Sequence, residues 1–179
     1  MDKTTATLIA ASIAAIASFI SIFANKASEF RAAHRKTLSD YIHDLSKTLH
    51  QVVATSDILT KTNTDENWRN WKEKSEDAKK KLKEMRPELR YTLWGLDYGF
   101  KMLSRLPDWV VHAQKYPKHE EKIVTKGAKI ASTLDKCIRK SYQKGRPPRF
   151  YEVWKVNRAS KKFEEYYNEF QEFKKQNPR

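Results

Sequence analysis

The 179-residue sequence is poor in cysteine, glycine and proline. Cys137 is the single cysteine, so no disulfide can form within the chain and no thiol cluster is available to hold a metal, and a reducing compartment fits. Only 4 glycines and 6 prolines occur, and polar and apolar residues do not alternate along any clear stretch. Because strands of a half-exposed sheet show that alternation, the sequence predicts an all-α protein.

Residues 4–25 lack any charged side chain. As a helix that rises about 1.5 Å per residue, this stretch spans about 33 Å, close to the roughly 30 Å hydrocarbon core of a bilayer. A signal peptide fits less well, because only Met1-Asp2-Lys3 precedes the apolar run and no good small-x-small cleavage site lies before Lys26. We therefore predict a single transmembrane helix over 4–25.

Basic residues are placed unevenly around this predicted helix. Lys3 and the amino terminus precede it, whereas five basic residues follow it closely, namely Lys26, Arg31, Arg35, Lys36 and Lys47. The positive-inside bias then places the remainder of the chain, 26–179, in the cytoplasm.

The predicted transmembrane helix has a patterned surface, called here the small-residue stripe. Its members are small or polar and recur at alternating spacings of 3 and 4, at Thr4, Thr7, Ala11, Ala14, Ser18, Ser21 and Asn25. They fall within about 100° on a helical wheel, opposite Ile9, Ile13, Ile16 and Ile20. Small residues let helices approach closely, and hydroxyls can bond across the contact or face water. The stripe predicts a homo-oligomer, as a tight pair or a ring around a pore; an accidental stripe in an alanine-rich anchor is the alternative.

The rest of the chain is expected to form one basic helical bundle, with the first helix continuing out of the membrane and carrying Phe30 on its inward face. Pro87 and Pro107 are expected to begin new helices, and Gly145 to Pro148 to break the chain. The expected helices are 26–60, one capped by Thr64 that carries Trp68 to Met85, 87–106, 107–114, 119–143 and 150–175.

The net charge of +14 is concentrated between Lys126 and Lys162, where 12 Lys or Arg residues accompany 2 Asp or Glu residues. Such a surface attracts phosphates, nucleic acid or anionic lipid, although a merely solvated lysine-rich surface has the same composition. Within it cations interleave with aromatic residues, a pattern that suits single-stranded RNA, a nucleotide or lipid headgroups. A basic loop between core aromatics is the alternative. The candidate anion-binding residues are Arg139, Lys140, Lys144, Arg146, Arg149, Tyr151 and Trp154.

An arginine and a histidine with six residues between them, Arg105 and His112, match the loose signature of HEPN domains, which are helical bundles often used as RNA-cleaving dimers. In that family the arginine binds phosphate and the histidine assists proton transfer. Leu106 departs from the polar residue usual after the arginine, and a match this loose is expected by chance. We predict no catalytic residue, and no cofactor or metal, since the sequence has no glycine-rich phosphate loop, nucleophile motif or paired cysteine ligands.

In layout the chain resembles the membrane accessory protein of type VI-B CRISPR systems. The shared features are a length near 180 residues, one N-terminal membrane helix, a basic helical domain and a degenerate motif, RLPDWVVH. The resemblance implies a ring-shaped homo-oligomer in the bacterial inner membrane, with a pore that depolarises the infected cell. It also implies a structural or regulatory HEPN-like domain, and a functional link to an RNA-guided, RNA-cleaving nuclease whose antiviral effect the protein enhances.

Two other classes of function stay open on the sequence. One is a membrane-tethered HEPN-like ribonuclease, which needs Arg105 and His112 side by side and exposed across a dimer cleft. The other is a monomeric module that binds lipid or a protein partner and forms no pore.

Overall fold

The computed structural model describes residues 3–62, 65–89 and 92–177, with the backbone alone described for 3–11 and 86–88. These residues are mostly helical and include no strand, which confirms the all-α class and the long apolar N-terminal helix. Thr64, expected to cap the second helix, lies outside them. The helices are α1 (Lys3–Lys61), α2 (Asp65–Leu89), α3 (Asp97–Leu103), α4 (Leu106–Ala113), α5 (Pro117–Lys144) and α6 (Phe150–Gln176).

Helix α1 is 59 residues long, which corresponds to about 89 Å. It passes residues 25 and 26 without a break, as expected from a helix that continues beyond the apolar run. Residues 12–33 are exposed to solvent, whereas from His34 onwards one face of the helix is buried. Of the helices described, α1 alone is long and apolar enough to cross a membrane, by length and composition.

The second half of α1 forms one wall of the bundle. Its buried side chains follow the helical period, and they include Leu38, Leu45, Leu49, Val52 and Leu59. Helix α5 packs on this face in the opposite direction, since Arg35 contacts Gln143 whereas Ser46 contacts Arg139. The carboxyl end of α5 therefore lies where α1 leaves the bundle.

Helix α5 lies between α1 and α6. The spacing of apolar and small residues along it predicts an inward face, and all five residues of that face are buried, namely Ile123, Gly127, Ile130, Leu134 and Ile138. Helix α6 adds Val156, Phe163 and Phe170 to the same core. It begins shortly after the carboxyl end of α5, so its amino terminus lies near that end.

Two sequence-based expectations about the bundle are wrong. No helix begins at Pro87, because α2 continues to Leu89 and α3 begins only at Asp97. Leu82 and Leu89, on either side of Pro87, are buried in the core, and burying two leucines (about 3–6 kcal/mol) offsets the missing backbone hydrogen bond. Phe30 does not face inward and is 58% exposed, because the bundle meets α1 only from about Arg31 onwards.

Candidate functional site

The structure brings Arg105 and His112 to one place. Arg105 immediately precedes α4 and His112 lies in its last turn, and both line an open groove of about 460 Å³. Helix α4 is fixed there because the ring of Trp109 stacks on that of Tyr167, with centroids 3.8 Å apart. The two residues of the predicted motif thus share a groove within a single chain.

Each of the two side chains already has a partner in the fold. Arg105 Nη1 lies 3.6 Å from Glu164 Oε1, and the Tyr98 hydroxyl donates to the other oxygen of that carboxylate at 2.6 Å. Burial, together with the Glu164 carboxylate, raises the pKa of Tyr98 to about 12. His112 Nδ1 lies 2.6 Å from the hydroxyl oxygen of Tyr167. These contacts join α3 and α4 to α6, so the motif residues have a structural role whatever else they do.

The candidate anion-binding segment is organised around a residue that the sequence argument missed. Glu152 is only 5% exposed, and two cations approach its carboxylate. Arg146 donates to both of its oxygens, at 3.1 and 3.2 Å, and Lys140 lies 3.2 Å from one of them. The Tyr151 hydroxyl (3.1 Å) and the backbone N–H of Arg149 (2.6 Å) also donate to it. A carboxylate of the chain itself therefore occupies the centre of this basic cluster.

These contacts hold Glu152 ionised. Burial by itself raises the pKa of a carboxyl group, but the bonds from Arg146, the Arg149 backbone, Lys140 and Tyr151 outweigh it and lower the pKa to about 2. The sequence did contain a signal for this role. Glu152 is the third residue of the helix that follows Arg149, and a glutamate at this position commonly accepts a hydrogen bond from the backbone N–H of the residue that caps the helix.

The remaining predicted anion-binding residues lie elsewhere. Arg139 donates to Asp135 at 2.8 Å and to Ser46 of α1 at 2.7 Å. Lys144 is exposed, and so is Trp154 (48%), whose ring lies 5.1 Å from the guanidinium of Arg158. Four of the seven predicted residues thus gather at Glu152, and the other three do not.

The turn between α5 and α6 lies against α1 at the level where α1 leaves the bundle. Gly145 has a positive φ of 60°, and a Cβ atom added to it would lie 2.8 Å from the backbone oxygen of Arg31. Only glycine fits both this conformation and this close approach. One turn further along α1, His34 and Arg35 bond to Ser141 and Gln143. The basic-aromatic turn is therefore fixed beside the end of the uncharged run.

The described members of the small-residue stripe, Ala14, Ser18, Ser21 and Asn25, are exposed, as are Ile13, Ile16 and Ile20. The side chains of Thr4, Thr7, Ala11 and Ile9 lie outside the described residues. At 100° per residue the stripe points roughly 160° away from the face of α1 that packs on the bundle. The bundle therefore packs on the side of α1 that continues the isoleucine face. The side that carries the stripe is left uncovered.

Among the side chains that the structure describes, no three His, Cys, Asp or Glu residues are grouped to hold a metal ion. The absence of a cofactor and of a metal stays a prediction.

No protein-family model, no curated protein and no solved structure matches this chain.

Proposed function

We propose that the protein is a membrane-anchored antiviral accessory that assembles through α1 into a homo-oligomeric ring around a pore. By depolarising the bacterial inner membrane, the pore enhances the immunity given by an RNA-guided, RNA-cleaving nuclease. The proposal includes a single-pass topology with the HEPN-like bundle in the cytoplasm.

The observation that carries this proposal is the arrangement of the two faces of α1. The small-residue stripe lies on one side, and the bundle is attached to the other. Protomers that meet along their stripes would keep their bundles at the outside, where the bundles do not obstruct the close approach of the helices. An anchor that served only to hold a monomer would have no need of this separation.

The continuity of α1 also supports the proposal. Helix α1 runs without interruption from its exposed half into its buried half, so the two halves form one continuous helix. His34 and Arg35 connect the helix to α5 at that level, which provides a route by which the cytoplasmic part could open or close a pore.

The stripe is tested by a pair of substitutions of similar kind on opposite faces. Ser18→Leu should separate the helices or obstruct the channel, because a bulky side chain enters the contact, whereas Ile13→Leu on the lipid side should be nearly silent. The measurements are membrane depolarisation in cells and oligomer size in detergent. Equal behaviour of the two variants in both assays would remove the basis for a pore.

Membrane position is tested separately. The protein should stay in membranes after alkaline carbonate extraction, and a tag at its C-terminus should be protected from protease in intact spheroplasts. Protection of phage-infected cells should be compared with the nuclease present and absent, since an accessory role requires that the effect depends on the nuclease.

A membrane-tethered ribonuclease is the second candidate, favoured by the common groove of Arg105 and His112. We propose that this groove is structural, because Glu164 and Tyr167 already engage the two side chains.

A further inference from the structure

The end of the bundle nearest the exposed half of α1 carries large exposed aromatic side chains. We name it the neck surface. Phe150 is 79% exposed at the first residue of α6, and Trp154 follows one turn later. The turn that carries Trp94 (49% exposed) belongs to the same end, because a Cβ atom on Gly95 would lie 2.9 Å from Val153. With Phe30 on α1, four aromatic side chains are exposed at one end of the bundle.

Positive charge accompanies these rings. Lys144, the last residue of α5, and Arg149, just before α6, are exposed, and Arg31 is exposed on α1 beside them. Glu152, the acidic residue nearest to this turn in sequence, is buried and forms ion pairs with Arg146 and Lys140. Glu29, the neighbour of Phe30 on α1, is exposed but is paired with Lys26 at 3.3 Å, so the net charge of the neck surface is positive.

The distance along α1 sets the level of the neck surface. Arg31, which contacts Gly145, is six residues beyond Asn25, a rise of about 9 Å. The headgroup region on each side of a bilayer is about 5–8 Å thick. If residues 4–25 fill the hydrocarbon core, Phe30, about 7.5 Å beyond Asn25, lies within the headgroup layer, and Arg31 with the turn beside it lies at the outer edge of that layer. Aromatic rings and basic side chains are the groups that proteins place at this level.

We infer that the neck surface is a second membrane contact, which binds the headgroup layer of an anionic bilayer and inserts Phe150 into it. This inference rests on the proposed transmembrane position of α1. It adds a contact that fixes the tilt of the bundle against the membrane around the ring, on the side of α1 away from the stripe. Single-stranded RNA would also suit exposed aromatics with cations, but the position beside the exit of α1 favours lipid.

The test uses the full chain with a cysteine at Phe150 that carries an environment-sensitive fluorophore. Because burial raises the pKa of the Cys137 thiol to about 12, labelling at neutral pH selects the introduced cysteine. Asn168→Cys is the matched control, since it is exposed on the same helix about 27 Å further from the membrane. Both proteins are reconstituted into phosphatidylcholine vesicles with and without phosphatidylglycerol, and brominated lipid is the quencher.

In vesicles that contain phosphatidylglycerol, emission from the label at 150 should shift to the blue and be quenched, whereas the label at 168 should show neither change. Lys144→Ala and Arg149→Ala should each lower the ratio of docked to undocked protein about fivefold, and 1 M salt should have the same direction of effect. Protein that floats with the vesicles while the label at 150 reports water would overturn the inference and leave the anchor intact.

Two further outcomes are informative. Protein that does not float with vesicles would overturn the proposed membrane function and this inference with it. A response of the label at 150 to single-stranded RNA, with none to phosphatidylglycerol, would identify the neck surface as an RNA contact and refute the lipid contact.

Discussion

The imidazole Nε2 of His34 lies 3.0 Å from the hydroxyl oxygen of Ser141, at the point where α1 leaves the bundle. The Ser141 hydroxyl donates to the backbone oxygen of Arg146 at 2.6 Å, so its oxygen accepts a hydrogen bond from the imidazole. This short chain of bonds connects α1 to the turn between α5 and α6. It gives a polar contact within an otherwise apolar helix packing, and the imidazole Nε2–H is the donor in it.

Acid should lower the stability of the fold through His34. Burial, with a contribution from Arg146, lowers the pKa of His34, which is 7% exposed. As the pH falls through 6.5, the ordinary value for histidine, the unfolded chain takes up a proton that the folded chain binds less well, so the free energy of unfolding falls. Thermal unfolding of the detergent-solubilised protein between pH 8 and pH 5 should show a smaller loss for His34→Gln than for the unmodified chain. Identical pH dependence would refute this role.

Glu152 should be among the most sensitive positions in the bundle. Glu152→Gln leaves Arg146 and Lys140 without their counter-charge, and we expect a loss of about 3 kcal/mol in the free energy of unfolding. Glu165→Gln, at an exposed pair with Lys161, should cost less than about 0.5 kcal/mol. Denaturant titration of both variants makes the comparison, and similar losses would contradict the buried network.

The same residue predicts behaviour in strong acid. The pKa of Glu152 is about 2 in the folded chain against an ordinary value of 4.5, so its contribution is complete above pH 4.5 and disappears as the pH falls towards 2. The difference in stability between the unmodified chain and Glu152→Gln should therefore shrink across that window.

Gly145 should tolerate no side chain. Gly145→Ala places a Cβ in a left-handed conformation, which costs about 1–2 kcal/mol, and also brings it within 2.8 Å of the Arg31 oxygen. We expect a loss of stability of about 2 kcal/mol or more, measured by denaturant titration. Lys144→Ala, at the adjacent exposed position, should stay within about 0.5 kcal/mol. If the Gly145→Ala protein were as stable as the Lys144→Ala protein, the turn would not pack on α1.

Arg105 and His112 should support structure and not catalysis. Purified protein should leave single-stranded RNA intact, because Arg105 is paired with Glu164 and His112 with Tyr167. His112→Ala and Tyr167→Phe should lower the thermal midpoint to a similar extent, since each removes one side of the same contact. RNA cleavage that His112→Ala abolishes would instead establish the ribonuclease.

Much of the fold could be predicted because its determinants are local. The absence of alternation and the 3.6-residue period identified an all-helical chain, and the period of α5 identified its buried residues, because a helix repeats its faces along the sequence. The uncharged run at 4–25 and the stripe are likewise properties of consecutive residues. Pro87 was misleading, because a local preference was outweighed by the burial of Leu82 and Leu89 in contacts with distant helices.

The arrangement of the candidate sites was decided by tertiary structure. A run of cations and aromatics in 139–154 indicates an anion site, but the sequence does not say that Glu152 occupies its centre or that Gly145 rests on Arg31, 114 residues away in the chain. Phe30 and Phe150 are apolar, and the sequence does not decide whether they are buried. In the structure the packing of the helices leaves both of them exposed. The sequence alone determined that the chain is helical and how the faces of its long helices are composed. Only the packing of α5 and α6 on α1 decided which charges are neutralised and which aromatics remain exposed beside the exit of α1, because those outcomes depend on contacts between residues far apart in the chain.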